Sequence, residues 1–220
     1  MQIIYEDDDV FAAVKPAGVV MHADSHHPKG SFLEMVCTLR PTAQLLHRLD
    51  KDTSGVALFA KTDAAASYYK KLFKDTLIQK TYLALVVGTF TKKKGIIALP
   101  IGRSSSDPRK RSVGGKKGKL REARTDYSVL ERFGDSFTLL EVFPKTGRTH
   151  QVRSHLASIG HPVACDALYG GKKYACPQGL KRQFLHAFGL SFTSRKGIRV
   201  KVEADLPEDL RYTLKELKKK

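Results

Sequence analysis

Apolar and polar positions cluster along this chain in short segments that can be read one by one. Residues 2–22 read as short strands around Lys15-Pro16-Ala17-Gly18, a turn signal. The run Val56-Ala57-Leu58-Phe59-Ala60 reads as a strand. Thr62-Asp63 offers an oxygen cap for a helix over residues 63–74, where Ala64, Ala65 and Ala66 are good helix formers and Tyr68 and Leu72 share one face. Residues 81–87, ended by Gly88, are largely apolar on both alternating faces, which predicts a central strand buried on two sides. Residues 137–143 look like another such strand. Val152, Leu156 and Ile159 fall on one helical face, closed by Gly160. Val200-Lys201-Val202 reads as a strand, and Pro207 opens a last helix striped by Leu210, Leu214 and Leu217. Strands and helices mix without regular βαβ alternation, so the predicted class is α+β.

Charge narrows the picture. The 220 residues carry 39 Lys plus Arg against 22 Asp plus Glu, a net charge of +17. Such an excess favours a polyanionic partner; nucleic acid fits best, and an anionic membrane surface is the competitor. No apolar run approaches the ~20 residues a spanning helix needs. The acidic amino terminus, Met1 to Asp9, does not read as a secretory signal. Cys37, Cys165 and Cys176 are an odd count without Cys-x-x-Cys spacing, which argues against a disulfide framework or a cysteine zinc site and suits free thiols in a reducing cytoplasm.

Residues 103–124 depart from the core pattern. Nine cations, including Arg109, Lys110 and Arg111, face two acids, Asp107 and Glu122, and Gly114, Gly115 and Gly118 loosen the backbone. The segment reads as a solvated loop or as an arm or hairpin that contacts phosphates; its one-signed charge favours the arm. It lacks the spacing of a nucleotide-binding P-loop.

Two segments concentrate the chemistry. His47-Arg48-Leu49-Asp50-Lys51-Asp52-Thr53-Ser54-Gly55 sets a carboxylate beside an arginine and a histidine in a turn. Thr146-Gly147-Arg148-Thr149-His150-Gln151-Val152-Arg153 runs into a helix. On local chemistry alone, Asp50 reads more readily as a turn residue than as a reactive one, since carboxylates in turns before strands are common. Together the segments resemble the RluA-type pseudouridine synthases, which isomerise uridine within RNA. Lys15 to His22, Gly160 to Gly170 and Phe184-Leu185-His186-Ala187 extend the match over most of the chain, in the family's order.

The resemblance implies a bent, mixed, largely antiparallel sheet flanked by helices, with a catalytic cleft across its middle. It implies one catalytic domain over residues 1–220 with no RNA-binding module ahead of it, since Lys15-Pro16-Ala17-Gly18 comes almost at once. It makes Asp50 the catalytic residue. The isomerisation breaks the ribose bond to N1 of uracil and remakes it to C5, which calls for a nucleophile and a held base but no redox cofactor; none is expected. An ionised carboxylate serves as nucleophile. A guanidinium keeps it charged, and the family places that arginine at Arg153. The uridine must be extruded from folded RNA; the family supplies Tyr82 to stack on it, Leu185 to pack beside the site, and Arg48 to contact the RNA the base has left. His47 reads as a structural hydrogen-bonding residue. The expected partner is ribosomal or transfer RNA, the expected state a cytoplasmic monomer. The rivals are a non-catalytic RNA-binding protein and, more weakly, a metal-dependent nuclease using His22, Asp24, His26 and His27; no metal site is expected.

Overall fold

The computed structural model describes residues 1–23, 25, 27–115 and 119–219. Among the described residues, twelve strands and four α-helices follow one another. The strands are β1 (Ile3–Glu6), β2 (Val10–Lys15), β3 (Gln44–Leu45), β4 (Ser54–Ala60), β5 (Gln79–Val87), β6 (Lys94–Ile97), β7 (Ile101–Arg103), β8 (Arg111–Val113), β9 (Thr125–Phe133), β10 (Phe137–Pro144), β11 (Leu185–Thr193) and β12 (Arg199–Glu203). The helices are α1 (Phe32–Leu39), α2 (Asp63–Lys74), α3 (Gln151–Ser158) and α4 (Glu208–Leu217). The chain divides into two compact units. The first comprises Met1–Lys80 and His186–Asp205, and the second Thr81–Leu185 and the residues from Leu206 onward.

In the first unit β4 is the organising strand. All seven of its residues are buried, as expected of a strand packed on both faces. It pairs antiparallel with β2 along its length, antiparallel with β3 at Phe59 and Ala60, and parallel with β11 at Ser54 and Gly55. One face carries Val56, Leu58 and Ala60, packed with Tyr69 of α2 and Phe192 of β11. On the other, Phe59 stacks on Phe11 at 5.3 Å and meets Phe32 of α1 at 5.8 Å. α2 starts where the sequence predicts, with the Thr62 hydroxyl accepting from the Ala65 N–H at 3.2 Å. Its buried residues are Ala65, Ala66 and Tyr69, with Tyr68 and Leu72 packed at the margin. Ser31 and Glu34 cap α1 reciprocally, a signal in the sequence that the periodicity reading passed over.

In the second unit β10 pairs antiparallel with β5 and β9, and β9 with β6. β5 is the central strand expected. Ala84 and Val86 face one apolar cluster with Val152 and Leu156 of α3, while Leu85 faces another with Leu210 of α4. β7 and β8 form a separate antiparallel hairpin in register Ile101 with Val113 to Arg103 with Arg111. Lys116, Lys117 and Gly118 of that segment lie outside the described residues, as do Asp24 and His26 of the weak metal set. β4 and β11 run parallel, whereas β1–β2, β2–β4, β3–β4, β5–β10, β6–β9, β9–β10 and β11–β12 run antiparallel, and the mixed, largely antiparallel class expected is the one observed.

The expectation of three free thiols is wrong. Cys165 and Cys176 are disulfide-bonded across 11 residues, and Cys37 alone remains a thiol. The fold brings the two Cα atoms to 4.9 Å, within bridging range, a proximity that cysteine spacing does not encode.

Candidate active site

Asp50 sits in the first unit, on the turn that feeds β4. The Thr53 N–H closes this turn on the Asp50 carbonyl at 3.1 Å. Such a turn leaves carbonyls that no ladder satisfies. Lys15 takes them: its buried ammonium donates to the carbonyls of Pro16 and Lys51 at 2.8 Å and of Thr53 at 2.9 Å. A buried cation is tolerable where oxygens surround it. The downstream end is pinned separately. His186 meets the Ala204 carbonyl through Nε2 at 3.0 Å, so Nε2 carries the proton and Nδ1 accepts from the Ser54 hydroxyl at 2.9 Å. Next to Ser54, Gly55 has φ 123°, and a Cβ there would run into the backbone of Ala187. Only glycine allows this approach.

His47 is structural, as expected. Its Nε2 accepts from the Leu58 N–H at 3.0 Å and its ring stacks on Phe73 at 4.7 Å. Burial, and then the charge of Lys80, pull its pKa down to about 3, so the ring stays neutral. Arg48 is exposed and Asp50 partly buried. His27 Nε2 lies 2.9 Å from the Lys51 ammonium.

Arg153 belongs to the second unit, on α3. No side chain caps this helix in the usual way: His150, at the N-cap, is left-handed with φ 56°. Gln151 organises the entry instead. Its Oε1 accepts from Thr146 Oγ1 at 2.7 Å and the Arg148 N–H at 2.9 Å, and its Nε2 donates to the Arg124 carbonyl at 2.9 Å. Arg153 is buried. The reason is Asp166, a fully buried carboxylate that receives Arg153 Nε at 2.6 Å and Nη2 at 2.9 Å. Two-pronged pairing lets a guanidinium leave water. The Asp166 Oδ1 also accepts the N–H groups of Leu168 at 3.0 Å and Tyr169 at 3.1 Å. Tyr169 lies with its ring 5.2 Å from the Arg153 guanidinium. The sequence reading gave neither Asp166 nor Tyr169 a role.

Tyr82 and Leu185 share the apolar cluster that holds Val152 and Leu156. Leu185 is buried and Tyr82 partly so. On the basic hairpin, Arg109 is exposed and forks onto Asp107 at 2.8–3.0 Å. The Arg111 N–H donates to the Tyr169 hydroxyl at 2.8 Å. The second unit thus joins Arg153, Asp166, Tyr169 and the hairpin, while Asp50 and Arg48 belong to the first. Among described residues, no three His, Cys, Asp or Glu side chains gather to hold a metal, and no helix is long and apolar enough to cross a membrane.

Comparisons with known proteins identify the class as an RNA-modifying isomerase. A family model described as RNA pseudouridylate synthase matches residues 9–158. The uncharacterized RNA pseudouridine synthase YlyB of Bacillus subtilis is 40% identical over all of this chain and 73% of its own length. Ribosomal large subunit pseudouridine synthase C of Pasteurella multocida is 36% identical over 97% of this chain and 67% of its own. Synthase D of Nitrosomonas europaea is 37% identical over 99% and 65%. Among solved structures, human RNA pseudouridylate synthase domain containing 1 superposes with TM-score 0.80 at 30% identity, over 96% of this chain and 86% of that one. The chain belongs to the RluA-type RNA pseudouridylate synthase family.

Proposed function

We propose that this chain converts uridine to pseudouridine at defined positions of structured RNA, with Asp50 as nucleophile. The observation that carries this is the double anchoring of the Asp50 turn, by Lys15 on one side and by Ser54 with His186 on the other. A nucleophile gains from a backbone that does not wander. Arg153 serves as counter-charge to the reacting carboxylate, its plane oriented by Asp166. Tyr82 stacks on the extruded base, Leu185 supplies apolar packing, and Arg48 contacts the RNA backbone. Arg109, Lys110 and Arg111 hold phosphates, giving affinity without sequence information. Residues 1–220 make up one catalytic domain, and the protein works as a cytoplasmic monomer without a cofactor. Large-subunit ribosomal RNA is the favoured substrate, because relatives of similar identity carry that substrate in their names.

The test is Asp50→Asn on RNA from cells lacking the gene, labelled with tritium at uridine C5, from which pseudouridine formation releases tritium. The rate falls by at least about a thousandfold while RNA binding stays within about twofold. An Asn variant that turns over normally removes Asp50 from the reaction, and a wild type that binds RNA but releases no tritium favours the rival RNA-binding reading.

A further inference from the structure

We propose that Tyr169 is a positioning residue that couples the basic hairpin to Arg153, so that the hairpin's hold on RNA sets the orientation of the guanidinium. This rests on the reading above, in which Arg153 is catalytic and the hairpin contacts phosphates.

Three contacts meet on this one side chain. The hydroxyl accepts the backbone N–H of Arg111 at 2.8 Å. A backbone bond reports where β8 lies, whatever side chains it carries. The same hydroxyl shares a hydrogen bond with His150 Nδ1 at 3.2 Å, and the two rings meet edge-on at 5.8 Å. The Tyr169 ring faces the Arg153 guanidinium at 5.2 Å.

The backbone beneath Tyr169 is tied to the same place. Asp166 Oδ1 receives both the Tyr169 N–H and Arg153 Nη2, at 3.1 and 2.9 Å. Tyr169 and Arg153 are therefore tied to a single oxygen. A second route runs through His150. Its left-handed conformation is rare for a residue with a side chain and persists only where neighbours enforce it. Tyr169 is such a neighbour, and His150 opens the helix that presents Arg153 three residues on. A shift of β8 thus reaches Arg153 through the tyrosine ring and through the start of α3. A hairpin that only supplied charge would need neither connection.

The experiment is a double-mutant cycle on the tritium-labelled RNA described above, under single-turnover conditions with enzyme saturating. Tyr169→Phe keeps the ring and removes the hydroxyl. It slows turnover about tenfold, with RNA affinity by filter binding within about twofold of wild type. Joint Ala substitution of Arg109, Lys110 and Arg111 weakens binding and also slows the saturated rate. Adding Tyr169→Phe to that variant slows it no further than about twofold, because the connection has nothing left to transmit. Tyr169→Leu, which removes the ring as well, falls at least as far as Tyr169→Phe. Rate losses that multiply overturn the coupling, and so does a Phe or Leu variant at the wild-type rate. An active Asp50→Asn control would instead unseat the parent reading. An inert Asp50→Asn with multiplying losses sinks the coupling alone.

Discussion

Asp50 and Arg153 are the two charges assigned to the reaction, and the chain immobilises them by opposite means. Around Asp50 it is the main chain that is held. Lys15 binds carbonyls, the Thr53 N–H closes the turn, and Ser54 and Gly55 lock onto β11. None of these bonds passes through the Asp50 carboxylate. Around Arg153 it is the side chain that is held, by a buried carboxylate and an aromatic face. The difference teaches which positions separate chemistry from stability. At the turn, the bonds described run through the main chain and through Lys15, Ser54 and His186. At the helix, support and function share the same atoms.

The largest effect expected is at Asp166. Asp166→Asn removes the buried carboxylate that holds the Arg153 guanidinium in two-pronged pairing, which costs about 3–5 kcal/mol of stability. Urea unfolding should show that loss, together with a fall in turnover, whereas Asp50→Asn, at a half-buried position, should lower its unfolding midpoint less. Equal midpoints for the two variants would erase the contrast. A smaller effect is expected at the edge of the turn. Ser54→Ala takes away the hydroxyl that His186 Nδ1 meets, at about 1–2 kcal/mol. Its turnover should fall further than its RNA affinity, because the turn shifts while the phosphate contacts stay. A binding defect without a rate defect would assign Ser54 to the RNA surface instead.

The smallest and most gradual effect is in pH. His47 is neutral in the fold with a pKa of about 3, and takes up a proton near pH ~6.5 once unfolded. A depressed pKa means its contribution is whole above pH ~6.5, shrinks as pH falls, and is gone below about 3. His155, whose pKa is also lowered chiefly by burial, acts in the same direction. Urea midpoints should therefore decline from pH 7 to pH 4, and His47→Gln should flatten part of that slope. A wild-type profile that stays level across this range would show that the turn is not braced by a neutral ring.

What could be read from the sequence follows from what is local. α2 was legible because its cap, Thr62, and its alanines lie within one turn of each other. β5 was legible because both its faces are apolar. α4 was legible because Leu210, Leu214 and Leu217 recur at helical spacing. α1 was missed although Ser31 and Glu34 spell its cap, because attention to apolar periodicity passed over a helix of eight residues. β9 was hidden by a register shift opposite Leu139 and Leu140, which disturbs strict alternation against its partner. β11 was hidden by His186, Gly189 and Ser191, polar or small residues in a strand that is mostly buried. At the site, Asp50 and Arg153 were recognisable by motif. Asp166 stood in plain view, but its role depends on a pairing across 13 residues that only the folded chain brings together. The Cys165–Cys176 bond was overlooked for the same reason.

Gly55 performs no chemistry, yet the packing around it has a reach beyond its own position. Since the Ala187 main chain occupies the volume a methyl would need, every substitution there pries β11 from β4, and the reactive loop loses its seat. A saturation screen scored by activity will therefore mark position 55 as indispensable beside Asp50. Tolerance maps of this enzyme will draw a catalytic footprint wider than the set of atoms that ever touch RNA.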